Sequence, residues 1–347
     1  MFALVGNSPS TGSTLLADLL DSSNLTACGP ELEFFCNKRL YDFHNFQRAP
    51  EKASHVMTLR ATGIFPRYDR LPAYGLRKSE FFGMISDAES LRDFFDRFTK
   101  HFLRYRMKDP EGVVFEKTPQ NINCIGEYLN NYPEGLFVTI TRNPIFVYNS
   151  LLHRGWGNFT ALCTWFISSA IMISHLPEDR IFSIRYESLV NNSFTETASL
   201  LSSITDEFIE PSKVEDFYRK NQYRKKYSSQ LESWGAYGKH EIVNANRKQI
   251  SDSVLREFTK VFGLKISKAY AKHYGIPELT FDQVLRAMDY YDEVMEMLKG
   301  LPVEHGYPKR DWYDYRKLSA KWIREMGLGY AGLSDYRTFF RVVEPVE

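Results

Sequence analysis

Phe2-Ala3-Leu4-Val5 runs directly into Gly6-Asn7-Ser8-Pro9-Ser10-Thr11-Gly12 and then into Ser13-Thr14-Leu15-Leu16-Ala17-Asp18-Leu19-Leu20. Four apolar residues followed by Gly, Pro and hydroxyl residues predict a buried strand that ends in a loop. Leu15, Leu16, Leu19 and Leu20 recur at helical spacing and predict a helix with one face on a sheet. This order sets several backbone N–H groups and hydroxyls at a helix N-terminus, an anion site by geometry and by macrodipole. An ordinary strand-to-helix turn with Ser13 as the cap would leave the same pattern.

The loop of nucleotide hydrolases and kinases needs G-x-x-x-x-G-K-[ST]. Here Gly6 and Gly12 are one residue too far apart, and Ser13 stands where the Lys would be. That chemistry is disfavoured. Further apolar runs at 113–115, 136–140 and 181–184 predict buried strands, with a weaker candidate at 55–59. Polar residues follow the first three: Glu116-Lys117-Thr118, Thr141-Arg142-Asn143 and Arg185-Tyr186-Glu187. Helical periodicity covers 88–107, 121–131, 144–153 and 159–175. The alternation predicts an α/β fold, a mostly parallel sheet with helices on both faces. Ligands of such sheets bind beyond the carboxyl ends of the strands, where these polar residues converge. From about 205 the pattern is helical, most clearly at 249–273 and 281–299. The tail from Gly306 is dense in Tyr, Trp, Lys and Arg and is expected to pack back on the body.

Composition narrows the function. The 347 residues carry 44 Lys and Arg against 43 Asp and Glu, a formal charge of +1. A general polyanion binder would carry a basic excess, so no nucleic-acid partner is expected. The 25% charged and 43% hydrophobic residues fit a globular chain. Aromatic residues reach 15% (21 Tyr, 26 Phe, 5 Trp), which suggests aromatic-lined pockets beyond the needs of a core. No basic segment and cleavage site follow Met1, and the longest apolar stretch, 161–173, is short of the roughly 20 residues of a membrane span. No membrane partner is therefore expected. Cys28, Cys36, Cys124 and Cys163 are not spaced as a zinc site, and read as reduced thiols of a cytoplasm-like compartment. The sequons at Asn24, Asn158 and Asn191 then read as chance matches.

Ser8-Pro9-Ser10-Thr11-Gly12-Ser13-Thr14-Leu15-Leu16 resembles the 5′-phosphosulfate loop of sulfotransferases that use 3′-phosphoadenosine 5′-phosphosulfate (PAPS), usually P-[RK]-[ST]-G-[ST]-T-x-L. Pro9, Gly12, Ser13, Thr14 and Leu16 match, while Ser10-Thr11 stands where a basic residue is common. Arg142-Asn143-Pro144 with Ser150 resembles that family's 3′-phosphate motif, R-[DN]-P-x-x-x-x-x-S after a strand. Pro144 sits where a helix begins. Ser150 lies about two turns on, able to share a face with Arg142. A guanidinium and a hydroxyl on one phosphate make a sensible site. Arg185-Tyr186-Glu187-Ser188-Leu189 resembles the R-Y-E-D-L segment after the next strand and implies a structural role. The resemblance covers about 2–190. It implies a P-loop-like fold, PAPS as donor with PAP as product, and no metal. The implied organisation is one domain over 1–347, with a nucleotide-binding core at 1–204 and a mostly helical extension and lid at 205–347.

Sulfuryl transfer, like phosphoryl transfer, depends on positioning and on charge stabilisation. It needs a base for the acceptor hydroxyl and cations or N–H donors for the leaving group. Cys28-Gly29-Pro30-Glu31-Leu32-Glu33-Phe34-Phe35 resembles the segment that carries the catalytic Glu in protein-tyrosine and heparan sulfotransferases, and also the G-E-P-x-E-F-F segment of bacterial carbohydrate sulfotransferases. This implies Glu31 as the base, with Glu33 second. Either could instead be a first-turn helix carboxylate. Lys117 resembles the Lys of a K-[TDS]-P segment that contacts the transferred group, and could replace the charge missing at Ser10. A strand-end surface Lys is the alternative. Ser10, Thr11, Gly12, Ser13, Thr14, Arg142 and Ser150 are the implied donor-binding residues.

His153 and Arg154 follow the 3′-phosphate motif and are weaker candidates. A later basic loop is expected to complete the pocket, either Arg224-Lys225-Lys226 or the stretch Trp234 to Lys239, with Lys239 preferred. The acceptor is expected to be a small molecule or a carbohydrate bearing a hydroxyl or amine, walled in part by residues 31–82. Two other readings stand beside this one: a P-loop kinase or nucleotide hydrolase, and a non-catalytic nucleotide-binding or interaction protein of the same fold. Oligomeric state is not legible.

Overall fold

The computed structural model describes residues 1–53, 67–221, 223, 242, 250–303 and 343–346. Five parallel strands form the central sheet: β1 (Phe2–Val5), β2 (Thr26–Cys28), β3 (Val113–Lys117), β4 (Leu136–Thr141) and β5 (Ile181–Arg185). Their order is β2-β3-β1-β4-β5, so β1 lies at the centre of the sheet. The α/β expectation holds. The weak strand candidate at 55–59 lies outside the described residues.

The helices that matter to the site are α1 (Ser13–Leu20), α2 (Leu91–Tyr105), α3 (Pro144–His153), α4 (Asn158–Ile173), α5 (Ser193–Thr205), α6 (Phe281–Ala287) and α7 (Tyr291–Met297). Side chains alternate across a strand, and the core divides accordingly. Phe2, Leu4, Val114 and Phe137 face the cluster that contains Phe94, Phe95, Phe98 and Phe102 of α2. Ala3, Val5, Phe115 and Val138 face Leu16, Leu19 and Leu20 of α1 and Leu200 and Leu201 of α5.

Among the described residues most aromatic side chains belong to the core. Phe2 stacks on Phe95 with ring centroids 4.7 Å apart, and Phe35 meets Phe98 edge-on at 5.4 Å. Phe34, Phe35, Phe46 and Phe81, from the stretch expected to wall the acceptor, are all buried in this cluster. The four cysteines are buried thiols outside any disulfide. Burial pushes the Cys28 and Cys36 thiols well up, which makes them poor nucleophiles. Among the described residues no helix is long and apolar enough to cross a membrane.

Several expected bounds shift. β3 and β5 run on through Lys117 and Arg185, so these charged residues end the strands rather than follow them. The edge strand β2 is three residues long, too short for a periodic signal. The helix expected at 249–273 is interrupted by β6 (Leu264–Ile266), which pairs antiparallel with β7 (Val343–Pro345). The helix expected at 281–299 divides at Asp289, whose φ of 56° no helix accepts. The extension is tied to the core at that break. Trp165 of α4 packs on Phe281, and the Tyr290 hydroxyl donates to Glu187 Oε2 at 2.9 Å.

Candidate active site

The carboxyl ends of the strands bring four segments to one edge. Val5 is in register with Lys117 on one side and with Val138 on the other. The loop leaving β1 at Gly6 therefore emerges between the ends of β3 and β4. Gly12 takes φ +100°, and a Cβ there would lie 2.4 Å from the Tyr186 ring. Only Gly fits, on backbone and on space. It precedes Ser13, the first residue of α1, so Gly12 rather than Ser13 is the cap, with no side-chain hydrogen bond. The first-turn N–H groups of a helix have no partner within it, so those of Ser13 and Thr14 face the loop end.

The loop is braced from inside. Asn7 Nδ2 donates to Thr11 Oγ1 at 2.7 Å, and Thr11 Oγ1 donates to Ser8 O at 2.8 Å. The Thr11 hydroxyl is thus engaged within the loop. Asn7 Oδ1 is buried without a hydrogen-bond partner. Asn7 lines a narrow cavity beside Pro9, together with Gln120, Asn123, Trp156 and Thr164.

On the β4 side, two guanidinium groups meet at Ser10. Arg142 Nη1 donates to Ser10 O at 3.0 Å, and Arg154 Nη1 donates to Ser10 Oγ at 2.9 Å. Ser10 presents both atoms from a left-handed φ of 69°. Arg142 is positioned by its neighbours. Trp165 Nε1 donates to Arg142 O at 3.0 Å, and the Tyr186 ring lies 4.4 Å from the guanidinium. Asn143 caps α3 by accepting from Ile145 N at 3.1 Å, with Pro144 in the first turn, and Asn143 N donates to Glu187. Burial pushes Arg142 below its ordinary value, against the opposing pull of Tyr186, Glu187 and Tyr290. The guanidinium stays charged all the same. Ser150 is half-buried on α3, one turn before Arg154. His153 is exposed and turned to Asn149 O at 2.7 Å.

On the β3 side, the Lys117 ammonium is ion-paired with Glu31 Oε1, and both side chains are buried. Lys117 is not a surface lysine. Nor is Glu31 a helix carboxylate, because residues 29–33 form an irregular segment. That segment is held from two directions. Glu116 Oε1 accepts from Leu32 N at 2.9 Å, and Thr118 Oγ1 accepts from Glu33 N at 3.1 Å. Glu116 is in turn held by Thr118 Oγ1 at 2.8 Å and Asn121 Nδ2 at 2.8 Å. Burial raises the Glu116 carboxyl, while its hydrogen bonds from Asn121, Leu32 and Thr118 pull it back.

From the opposite direction comes the 3₁₀ turn Tyr68–Tyr74 and the residue before it. Arg67 N donates to Leu32 O at 2.8 Å, Arg70 Nη1 to Glu31 O at 3.0 Å and Tyr74 OH to Pro30 O at 2.6 Å. Tyr74 packs so closely on Gly29 that a Cβ there would lie 2.2 Å from the ring. Arg67 Nε binds Glu33 Oε1 at 3.0 Å. Sequence reasoning assigned nothing to Arg67, Arg70 or Tyr74. Only their place in a polar, aromatic-rich stretch hinted at a role.

Lys239 and the stretch 224–226 lie outside the described residues. Among the described residues no cluster of His, Cys, Asp or Glu is arranged to hold a metal ion. The donor set is that of an anion site: Lys117, Arg142 and Arg154 as cations, with helix N–H groups and hydroxyls between them.

The family described as the sulfotransferase family matches this chain over residues 4–209. A comparison with curated proteins finds no match. Among solved structures, the chain is similar to the sulfotransferase domain of the Synechococcus PCC 7002 olefin synthase, at 13% identity and TM-score 0.48, covering 73% of this chain and 90% of that one. It is similar to the sulfotransferase domain from the curacin biosynthetic pathway at 16% identity and TM-score 0.46, covering 84% and 97%. It is also similar to sulfotransferase STF9 from Mycobacterium avium at 13% identity and TM-score 0.35, covering 88% and 78%.

Proposed function

The chain belongs to the sulfotransferase family, and on that premise we propose that it transfers a sulfonate group from PAPS to a hydroxyl or amine of a small-molecule or carbohydrate acceptor. The observation that carries this reading is the pairing of Glu31 with Lys117 on one side of the β1 loop, with Arg142 and Arg154 meeting at Ser10 on the other. A carboxylate for the acceptor and three cations for an anionic donor are the groups the reaction needs.

The residues present fit PAPS by their chemistry. Arg142, Arg154 and Ser150 would hold one phosphate, and the loop from Ser10 to Thr14 with the α1 N-terminus would hold the other. Bound PAPS supplies an electrophilic sulfur on a phosphate leaving group. Lys117 offers its ammonium to the charge that develops on the leaving oxygen. The Glu31 carboxylate takes the proton from the attacking acceptor. Glu33, bound to Arg67, serves the shape of the segment. Burial of Arg142 favours an anionic partner, since a desolvated cation gains most from one.

The test is incubation with PAPS and a panel of acceptors, comprising a phenol, a long-chain alcohol, a monosaccharide, an amino sugar and a tyrosine peptide. The expected result is a product heavier by one sulfonate with matching PAP release. Glu31→Gln is expected to bind PAP and lose turnover. No PAP binding by calorimetry and no product from the panel would overturn the reading.

A further inference from the structure

Glu31 has two cationic neighbours, and they are held very differently. Lys117 meets one carboxylate oxygen with a flexible ammonium at a strand end. Arg70 spans the residue: its Nη1 donates to the Glu31 carbonyl at 3.0 Å and lies 3.7 Å from Oε2. Arg70 is itself only 9% exposed and sits in the 3₁₀ turn that also grips Pro30 and Leu32. If Lys117 turns to an anionic donor, as the proposed function holds, Glu31 loses one of its two close cations. A buried carboxylate left without a cation would be costly and poorly placed.

We propose that Arg70 is a positioning residue that keeps the Glu31 carboxylate aimed while Lys117 is engaged with the donor. This rests on the reading of Glu31 as the base. In this role Arg70 acts through Glu31 rather than on the donor or the acceptor. Its Nη1 binds the Glu31 backbone carbonyl and lies close to the carboxylate of the same residue. The groups facing Glu31 are Lys117 from β3, Arg70 from the 3₁₀ turn, Arg67 from its start, and Glu116 from β3. Arg70 holds the Glu31 main chain and also lies against its carboxylate.

The test compares Arg70→Met, Arg70→Lys and Glu31→Gln. Two sets of quantities are measured: PAP affinity by calorimetry, and kcat and KM with PAPS and the panel acceptor that turns over fastest. Arg70→Met is expected to lower kcat at least tenfold with KM for PAPS and PAP affinity unchanged within twofold. Arg70→Lys is expected to restore part of the loss in kcat. If Arg70→Met fails to fold, the same comparison is read from Arg70→Lys, whose kcat is then expected to lie measurably below that of the parent. Unchanged kcat in the folded variant, with Glu31→Gln inactive, would overturn the role of Arg70 alone. A parallel fall in kcat and PAP affinity would also overturn it, since that marks a merely structural part. Full activity of Glu31→Gln would overturn the base assignment and this proposal with it.

Discussion

Lys117 and Glu31 form a buried ion pair although 86 positions separate them in the chain. Lys117 ends β3, and Glu31 follows β2, the strand that pairs with β3. The parallel register alone brings them to the same edge. Removing one member of a buried pair costs about 3–5 kcal/mol where the other charge is left unpaired. Arg70 still faces Glu31 in Lys117→Met, which is therefore expected to lower stability by less than that amount. The double variant Lys117→Met/Glu31→Gln, with neither member charged, is expected to recover a large part of the loss. Urea unfolding of the parent, both singles and the double gives the coupling. A double variant no more stable than Lys117→Met would mean that the pair contributes no coupling.

Gly12 and Gly83 make a matched pair for the loop. Gly12 has φ +100° and no room for a Cβ beside Tyr186, whereas Gly83 lies in the helix Lys78–Ser86 with nothing within 4 Å. Gly12→Ala is expected to weaken PAP binding at least tenfold, because the loop must shift away from Tyr186 and Arg142. Gly83→Ala is expected to bind PAP normally and to gain about 0.5–1 kcal/mol in stability, the ordinary effect of Ala in a helix. Equal PAP affinities for the two variants would show that the loop tolerates the shift.

The parallel sheet was legible because β1, β4 and β5 are apolar runs, each followed at once by a polar signature. β2 was not, being three residues at an edge. The division at Asp289 and the strand β6 lie within helical periodicities, where tertiary pairing overrides a local pattern. At the site, Glu31, Lys117 and Arg142 stand out as residues, but their contacts do not. The meeting of Arg142 and Arg154 at Ser10 depends on the left-handed turn at Ser10, and a Ser in a loop gives no sign of it. Arg67, Arg70 and Tyr74 act through a 3₁₀ turn that has no hydrophobic period, so no sequence signal separated them from their neighbours.

Arg154 stands at the end of α3 and reaches the loop at the position where a basic residue is absent. A charged hydrogen bond contributes about 1.5–3 kcal/mol. Arg154→Ala is expected to weaken PAP binding about tenfold or more, and Arg142→Ala more strongly, since Arg142 is buried and braced by Trp165 and Tyr186. The affinity of Arg154→Ala is also expected to vary less with salt, because one cation has left the site. Calorimetric titration with PAP at two ionic strengths checks both. An Arg154→Ala affinity equal to that of the parent would assign Arg154 to the surface.

Asp21 sits at the far end of α1 from the loop and is fully buried. Burial pushes its carboxyl up, and Arg106, Lys108 and the hydrogen bonds from Arg106 and Asn221 outweigh this, holding it below its ordinary value. Arg106 grips it with two hydrogen bonds of 2.9 Å. The sign of the pH effect follows. The folded chain holds the ionised form more tightly than the unfolded chain, whose Asp titrates near about 3.9. The stabilisation is therefore fully present above that value and is lost as pH falls through the lower folded value. Asp21→Asn is expected to be less stable than the parent at pH 7. The difference is expected to stay level down to about pH 5 and to shrink as pH falls below about 4. Urea midpoints of both proteins between pH 7 and pH 3 measure it, and a difference that stays constant across that range would show that the Asp21 charge contributes nothing. Because Asp21 also receives a hydrogen bond from Asn221, at the end of the helix Pro211–Lys220, the loss loosens α1 and that helix together, while the phosphate loop at the other end of α1 keeps its own internal bonds.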